Sequence, residues 1–219
     1  MKTIKYAFKN EWYNILLLLL PFLAIPFLWS YLPEQMPTHI NFAGEINDYS
    51  AKSFGLLFIP LLTVGIYFLL LYLPNIDPKK RIEIDQKPMP VLRTAVILLL
   101  LIIHLDMIVL GLEIGLELHP ANWIYLALAI FFVVMGNYMK TIQPNYFIGI
   151  RLPWTLENAK NWRKTHRLGS YVWVIGGALL IVLFPFLTNK VYSTFFFIIL
   201  ITITLIPAFY SFYLYKTKF

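Results

Sequence analysis

The 219-residue chain contains no cysteine and few charged residues. The absence of cysteine excludes disulfide bonds and thiolate metal sites. Charged residues make up 13% of the chain and hydrophobic residues 59%, whereas soluble domains average about 25% charged and about 45–50% apolar residues. The mean hydropathy is +0.70. This composition excludes an ordinary soluble domain and predicts a polytopic integral membrane protein.

The chain also lacks the short motifs that mark common enzyme classes. It has no HExxH zinc motif, no Walker motif, no glycine-rich dinucleotide loop and no recognisable Ser/His/Asp set. It shows no internal repeat of the kind that marks many transporters. These absences favour a protein that is not an enzyme and that needs no cofactor.

Six apolar stretches are long enough to cross a bilayer as helices, which takes roughly 20 mostly apolar residues each. Their apolar residues do not alternate with polar ones, as the strands of a transmembrane barrel would require. The sequence therefore predicts an all-α fold with six transmembrane helices. The predicted spans cover residues 14–32, 53–73, 93–112, 122–139, 168–187 and 191–215.

Basic residues are distributed unevenly among the segments that connect these spans. Of the 18 lysines and arginines, all but Lys52 and Lys190 lie at the N-terminus, in the second loop with the adjoining edge of the third span, in the fourth loop or in the tail. Because cytoplasmic loops are enriched in Lys and Arg, both termini are predicted to be cytoplasmic. The net charge of +7 then faces the anionic lipids of the inner leaflet rather than nucleic acid. Residues 1–13 are interpreted as a positive flank that sets this topology, in preference to an amphipathic surface helix.

The third predicted span is the most polar. It contains His104 and Asp106, and Glu113, Glu117 and His119 follow towards its outer end. Charged side chains inside a membrane are costly and usually functional. Asp106, Glu113 and Glu117 share one helix face, while His104 points elsewhere. Two interpretations stay open: an acidic stripe along a cavity that receives a cation, a proton or a cationic peptide, and a structural polar cluster.

Two groups of small residues predict close contacts between helices. Gly111 and Gly115 form a GxxxG pattern at the end of the third span, although Glu113 lies inside it. Residues 176–178, Gly-Gly-Ala, lie in the fifth span, where a neighbouring helix is expected to pack closely.

The first outer loop, residues 31–52, is predicted to form a structured lid over the helices. Pro33 and Pro37 end any helix there. The spacing of its titratable side chains matches no standard metal motif, so a metal ion at His39 or at His119 is only a minor alternative. The residues singled out in this loop are His39, Asn41, Gly44 and Asp48.

Residues 138–167, called the basic segment below, interrupt the apolar spans with basic and aromatic side chains. Pro144 and Asn145 indicate a turn. Thr155 is predicted to be the N-cap of a short amphipathic helix on the inner leaflet, with Trp162 at headgroup depth. The segment is predicted to be a cytoplasmic loop.

Two stretches resemble a known family. Residues 37–44, PTHINFAG, resemble the P-x-H-x-N-x-x-G core of a short N-terminal membrane module of unknown function. The run GN at 136–137, PNYFIGIRLPWT at 144–155 and WRKTHR at 162–167 resembles the C-terminal signature of the SdpI family. The resemblance predicts two modules, 1–92 with spans one and two and 93–219 with spans three to six. The signature residues are Asn137, Pro144, Asn145, Gly149, Arg151, Pro153, Trp154, Trp162 and His166.

The resemblance also implies a function, which composition and spacing alone do not. The best-known members of this family are immunity proteins of the bacterial cell membrane that protect the producing cell from a secreted, membrane-active peptide toxin. The resemblance further implies capture of an ArsR-type autorepressor at the membrane. The toxin is then expected to meet the outer loop and the outer end of span three. The basic segment is either the output end that binds the repressor or a structural clasp.

Two other functions stay open at this point. One is a metal-dependent membrane enzyme that uses the polar residues of the outer loop and third span. The other is a small transporter that expels the toxin and acts as a homodimer. The side chains available to the enzyme alternative are His39, His104, Asp106, Glu113 and His119.

Overall fold

The computed structural model describes residues 2–41, 46–78, 80–112 and 120–218. Helices dominate these residues. They are α1 (Lys2–Asn10), α2 (Trp12–Leu28), α3 (Lys52–Ile76), α4 (Met89–Gly111), α5 (Pro120–Met139), α6 (Pro153–Glu157), α7 (Ala159–Leu183) and α8 (Asn189–Lys218). A 3-10 turn, Phe184–Phe186, separates α7 from α8, and two strands, β1 (Gln35–Ile40) and β2 (Ile46–Ala51), separate α2 from α3.

Four of these helices, α3, α4, α7 and α8, are long and apolar enough to cross a membrane. Helices α1 and α2 meet at 86° and provide a fifth crossing if the bent pair counts as one span. Helix α5 is apolar but shorter by this measure, over Trp123–Met139. The prediction of a helical membrane protein is confirmed, whereas the number of six spans and their orientation stay predictions.

Residues 2–10 form a helix of their own rather than only a charged flank. Helix α1 turns away from α2 and places Ala7 in a buried cluster with Leu18, Tyr67 and Ile97. Its side chains Lys5 and Lys9 are exposed. The amphipathic helix that the sequence analysis ranked second is therefore present.

The predicted outer loop contains an antiparallel β-hairpin, which the all-α prediction missed. Strand β1 pairs with β2, with Gln35 opposite Ala51 and His39 opposite Asp48. The ladder is irregular on both sides of His39, and Pro37 lies in it without a backbone donor. Two short strands rich in turn-forming residues carry little strand signal, which explains the miss.

Met36 anchors the hairpin between α3 and α4. Its side chain is 0% exposed and packs with Ile25, Leu56 and Ile108. A Cβ atom on Gly55 would lie 2.7 Å from Met36 Cβ, and one on Gly111 would lie 2.8 Å from Met36 Cε. The two glycines thus leave the space that the methionine fills.

The predicted role of Gly111 in helix–helix packing is therefore wrong. A Cβ there would meet side chains of Met36 and Leu32, which belong to the hairpin and its approach, and not the backbone of another helix. Gly115, the second residue of that pattern, lies outside the described residues.

Lys52 holds the base of the hairpin to α2. Its Nζ atom lies 2.8 Å from Glu34 Oε1 and donates to the Trp29 carbonyl oxygen at 3.2 Å. The same Nζ atom lies 5.3 Å from the centroid of the Trp29 ring. The first residue of α3 is thereby tied to the end of α2.

Helices α5, α7 and α8 pack around the small residues of α7. A Cβ on Gly177 would lie 2.6 Å from the Ala129 carbonyl oxygen, and one on Gly176 would lie 2.6 Å from Ile203 Cγ2. The predicted close packing at residues 176–178 is confirmed. An aromatic and aliphatic core that includes Phe132 packs between these three helices.

A buried ion pair joins Glu11 and Arg93 at the loop end, the end of the protein opposite the hairpin. The two side chains are 1% and 0% exposed. Arg93 Nε lies 3.1 and 3.0 Å from the two Glu11 carboxylate oxygens, and Arg93 Nη2 donates to the same carboxylate. Asn14 and Tyr67 also donate to Glu11, at 3.2 and 3.3 Å. The network connects the bend between α1 and α2 to α3 and α4.

Two glycines of α3, one packed against Met36 and one not, predict opposite effects of alanine substitution on stability. Gly55→Ala should lower the free energy of unfolding by about 1–3 kcal/mol, because the new methyl group overpacks against Met36 Cβ. Gly65→Ala meets nothing within 4 Å and should raise it by up to about 1 kcal/mol through helix propensity. Melting temperatures of the purified variants in detergent would show this, and equal shifts for the two variants would contradict the anchor.

The buried ion pair predicts that removing one of its two charges destabilises the protein more than removing both. Arg93→Met leaves the Glu11 carboxylate buried without its cation and should cost about 3–5 kcal/mol of unfolding free energy. The Glu11→Gln/Arg93→Met double variant should recover at least half of this loss. Denaturation in mixed micelles measures the free energy of unfolding of the single and the double variant. Arg163→Met, at an exposed arginine, is the control. A double variant that is less stable than Arg93→Met would contradict the interpretation.

Candidate functional site

Three cavities follow the seam between α4 and α5, and we call them the seam cavities. The first, of about 560 Å³, begins near Asp85 and Lys87 at the loop end. The second, of about 430 Å³, shares walls with the first at Ile102, Ala127 and Ile130. The third, of about 160 Å³, lies under the hairpin. The seam is therefore hollow from the loop end to the hairpin end.

Asp106 lies where the second and third cavities meet and contributes to the walls of both. Its side chain is 7% exposed, and its Oδ2 atom has no hydrogen-bond partner among the described residues. The described linings of these two cavities contain no lysine or arginine. Asp106 precedes Gly111, the last residue of α4, by five positions, which places it about 7.5 Å from the hairpin end of that helix.

The hairpin closes the third cavity with Pro37, Thr38 and His39. The His39 ring is held by a hydrogen bond between its Nδ1 atom and Asn47 Oδ1. The structure thus brings two of the predicted outer residues, His39 and Asp106, to the walls of one cavity.

Two other predicted outer residues, Asp48 and Asn41, do not line this cavity. Asp48 is exposed, and its Oδ1 atom accepts from the backbone nitrogen of Tyr49 at 2.9 Å. Asn41 follows β1 and is half-buried. Gly44, Glu113, Glu117 and His119 lie outside the described residues, so the predicted acidic stripe is represented by Asp106 alone.

His104 is buried in α4 away from the seam cavities, as its two-residue offset from Asp106 predicts. Neither of its ring nitrogens has a hydrogen-bond partner among the described residues. Within the described ranges no group of three His, Asp or Glu residues is placed to hold a metal ion. His39 and Asp106 provide only two such side chains in their cavity.

Asn145 shapes the turn that opens the basic segment. Its buried side chain donates to the carbonyl oxygens of Gln143 at 2.8 Å and Ile148 at 3.1 Å. Its Oδ1 atom accepts from the backbone nitrogens of Phe147 at 2.8 Å and Ile148 at 2.7 Å. One side chain therefore replaces the backbone partners of a whole turn, which explains why an asparagine follows Pro144 here.

His166 and Trp162 hold the next part of the segment against α7. The backbone nitrogen of Ile150 donates to His166 Nε2 at 3.0 Å, so Nδ1 carries the proton and donates to the Trp162 carbonyl oxygen at 2.9 Å. The Trp162 ring stacks on the His166 ring with centroids 4.0 Å apart, and its Nε1 donates to the Ile142 carbonyl oxygen at 2.8 Å. A Cβ on Gly149, which has φ +106°, would lie 2.3 Å from His166 Nε2, so only glycine fits there.

Two predictions about this segment are wrong. Trp162 is 0% exposed and therefore does not contact lipid headgroups, because its face of α7 packs against residues 142–150. Thr155 is not the N-cap of the amphipathic helix; it lies inside α6, where its Oγ1 accepts from the Leu152 nitrogen at 2.9 Å. Asn158 caps α7 by accepting from Lys160 and Asn161, and α7 continues without a break into the apolar span.

We call residues 142–150, held against Trp162 and His166 of α7, the clasp. The remaining signature residues have the following positions. Trp154 packs against Phe212 and Tyr215 of α8, with centroid distances of 5.3 and 5.9 Å. Arg151 donates to the Tyr146 carbonyl oxygen at 2.6 Å, and the Pro144 carbonyl oxygen accepts from Arg81 at 3.4 Å. Pro153 begins α6, and Asn137 is exposed near the end of α5.

The basic side chains of the segment all face outward, whereas Asn145, Trp162 and His166 are buried. The buried residues build the fold, and the charges form a positive surface at the loop end. The exposed basic residues are Lys140, Arg151, Lys160, Arg163, Lys164 and Arg167.

The Glu11–Arg93 pair was not predicted from the sequence. Arg93 was counted as a loop charge that sets topology, and Glu11 was not considered. The two residues are 82 positions apart, so no local spacing reveals the pair. The available signal is a single glutamate just before the first apolar span together with an arginine just inside the third.

The buried clasp predicts a sharp contrast between adjacent residues of α7. Trp162→Ala should lower the free energy of unfolding by about 3–5 kcal/mol, because it removes a fully buried ring and its hydrogen bond. Arg163→Ala, at an exposed position, should change it by no more than about 0.5 kcal/mol. Thermal unfolding with hydrogen exchange of residues 142–150 would measure this. Equal stability of both variants would show that the segment is not held by Trp162.

Comparison with known proteins gives two family matches. The model of the SdpI/YfhL protein family matches residues 141–211. The model of a domain of unknown function, DUF1648, matches residues 16–64. The first match covers most of the basic segment, α7 and most of α8. The second covers most of α2, the hairpin and about half of α3.

One curated relative is similar over nearly the whole chain. It is the Immunity protein SdpI of Bacillus subtilis (strain 168), which is 30% identical over 211 residues, 96% of this chain and 97% of the relative. No solved structure matches the chain. The alignment therefore includes the hairpin, the seam cavities and the basic segment together.

Proposed function

The chain belongs to the SdpI/YfhL protein family, and on that premise we propose that it is a non-enzymatic membrane immunity protein, which protects its cell against a secreted peptide toxin. The observation that carries this proposal is the 30% identity to an immunity protein over 96% of the chain. A match of that extent includes both ends of the membrane protein and not just a shared anchor.

The proposed topology has six spans and cytoplasmic termini. Helices α2 and α5 are apolar and, with the four longer helices, would make the six. The positive surface of the basic segment supports a cytoplasmic loop end, since Lys and Arg concentrate on that side. The hairpin and Asp106 then lie towards the outside, where a secreted toxin arrives. The division into modules 1–92 and 93–219 is proposed as well, because each contains one of the two family matches.

The proposed output lies at the loop end, where the exposed basic residues would receive an acidic surface of an ArsR-type repressor. The linker between α3 and α4 is positioned to report a change in α4. Its residue Ile82 packs with Leu73 and Met89, and Phe147 and Ile148 of the basic segment cover this cluster. Arg81 of the linker also donates to Pro144. A shift of α4 caused by toxin would thus reach the positive surface directly.

The test of this function is survival of a toxin-sensitive bacterial strain that expresses the chain. Cells with the chain should grow at a concentration of sporulation-delay-type toxin that kills cells with an empty vector, because an immunity protein acts in the membrane of the cell it protects. Killing of both strains alike, with the chain present in the membrane fraction, would contradict immunity.

Repressor capture is a separate arm of the same experiment. A reporter controlled by the ArsR-type repressor should respond to toxin in cells with the unchanged chain. It should lose this response in the Arg163→Glu/Arg167→Glu variant, which reverses two exposed charges at the loop end. Lys190→Glu, at an exposed lysine in the first turn of α8, serves as the matched control. A full response in the double variant would remove the basic segment from signalling.

A further inference from the structure

We propose that the second and third seam cavities form a binding groove for an apolar peptide helix that carries one cationic side chain, with the Asp106 carboxylate as the acceptor for that cation. The inference rests on the proposed function, because it assigns the place where the toxin binds. It goes beyond that function by stating the chemistry that the occupant must have.

The seam has the shape that a helix requires. Helix α4 contains 23 residues, a length of about 35 Å, and the seam cavities follow it from the linker to the hairpin. The side open to the lipid is bordered by exposed apolar side chains, among them Ile102, Leu105 and Ile130. The lining of the second cavity is apolar except for Asp106 and the ring nitrogen of Trp123. A membrane-embedded apolar segment is therefore a better match than a polar ligand.

Asp106 supplies the specific element of the groove. A carboxylate oxygen without a partner is costly when it is removed from water, and the cost falls when a donor or cation arrives. The other buried acids described in the N-terminal half have donors. Glu11 accepts from Arg93, Asn14 and Tyr67, and Asp77 accepts from the Arg81 backbone nitrogen at 2.8 Å. Asp106 Oδ2 has none among the described residues. The groove thus complements a positive charge about 7.5 Å from the hairpin end of α4.

Charge complementarity favours a cationic peptide over a lipid chain. An acyl chain fits the apolar walls but provides no donor at the depth of Asp106. A lysine or arginine on a membrane-inserted helix provides one, and its apolar neighbours cover Ile102 and Ile130. The hairpin closes the outer end of the groove and is held there by Met36. The occupant therefore enters sideways from the bilayer, which is the route open to a membrane-active peptide.

The absence of cysteine in the chain allows a direct binding experiment. The full chain with Ile130→Cys is placed in phosphatidylcholine vesicles and treated with a leucine–alanine peptide of about 20 residues. The peptide carries one lysine about 7.5 Å from one end and one photoreactive group. Contact is measured as a crosslink between that group and the introduced cysteine. The matched peptide has norleucine in place of lysine. Val182→Cys, on an exposed position of α7, is the control for general contact with lipid-facing surfaces.

The lysine peptide should crosslink to the Ile130→Cys variant about tenfold or more above the norleucine peptide and above the Val182→Cys variant. Adding Asp106→Asn, which keeps the size of the side chain, should remove this preference. Equal crosslinking of the two peptides would show an apolar groove occupied by any lipid chain or helix and would overturn the proposal. So would a lysine preference that persists in the Asp106→Asn variant, provided that its melting temperature is unchanged.

The binding result and the survival result can fail separately. Survival of cells that express the chain, without any lysine preference in vesicles, would leave the immunity function standing and remove the groove. A lysine preference that depends on Asp106, without survival, would establish the groove and contradict the immunity function.

Discussion

Buried polar groups of a membrane protein must find their partners inside the protein, because lipid offers none. This constraint accounts for most of the structure. At the loop end, Glu11 receives donors from Arg93, Asn14 and Tyr67, and the network sets the bend between α1 and α2. In the basic segment, the side chains of Asn145 and His166 satisfy backbone groups that no helix covers. Among the buried side-chain atoms that lack a partner in the described residues, Asp106 Oδ2 belongs to the residue that lines the seam cavities, and this combination identifies the candidate site.

The overall fold follows from properties of short stretches of the sequence. Apolar stretches predicted helices, and the glycines at 176 and 177 predicted the close packing of α7. Features that depend on distant residues were beyond such reasoning. The ion pair joins positions 82 apart, and the place of Trp162 depends on residues 142–150 folding back over α7. A tryptophan among basic residues looks the same in sequence whether it faces lipid or a buried histidine.

The candidate site likewise has features that the local sequence predicts and features that depend on distant residues. Asp106 was identified by its cost inside a span, and the structure adds the cavities, one of which is also lined by His39 of the hairpin. The spacing of residues 31–52 could not reveal that β1 brings His39 over α4, because strand pairing and the Met36 anchor decide this. The signature residues of the basic segment were recognised by resemblance, but their arrangement shows a clasp with an exposed positive surface. Structural and signalling roles therefore belong to different side chains of one segment.

In this account the hairpin end receives a membrane-embedded peptide, Asp106 recognises its charge, and the linker carries the change to the basic segment. The most direct measurement is the survival of toxin-sensitive cells that express the Asp106→Asn variant, compared with the unchanged chain at equal abundance in the membrane. The account predicts that the unchanged chain protects the cells and that the variant protects them much less. Equal protection by the two proteins would contradict it.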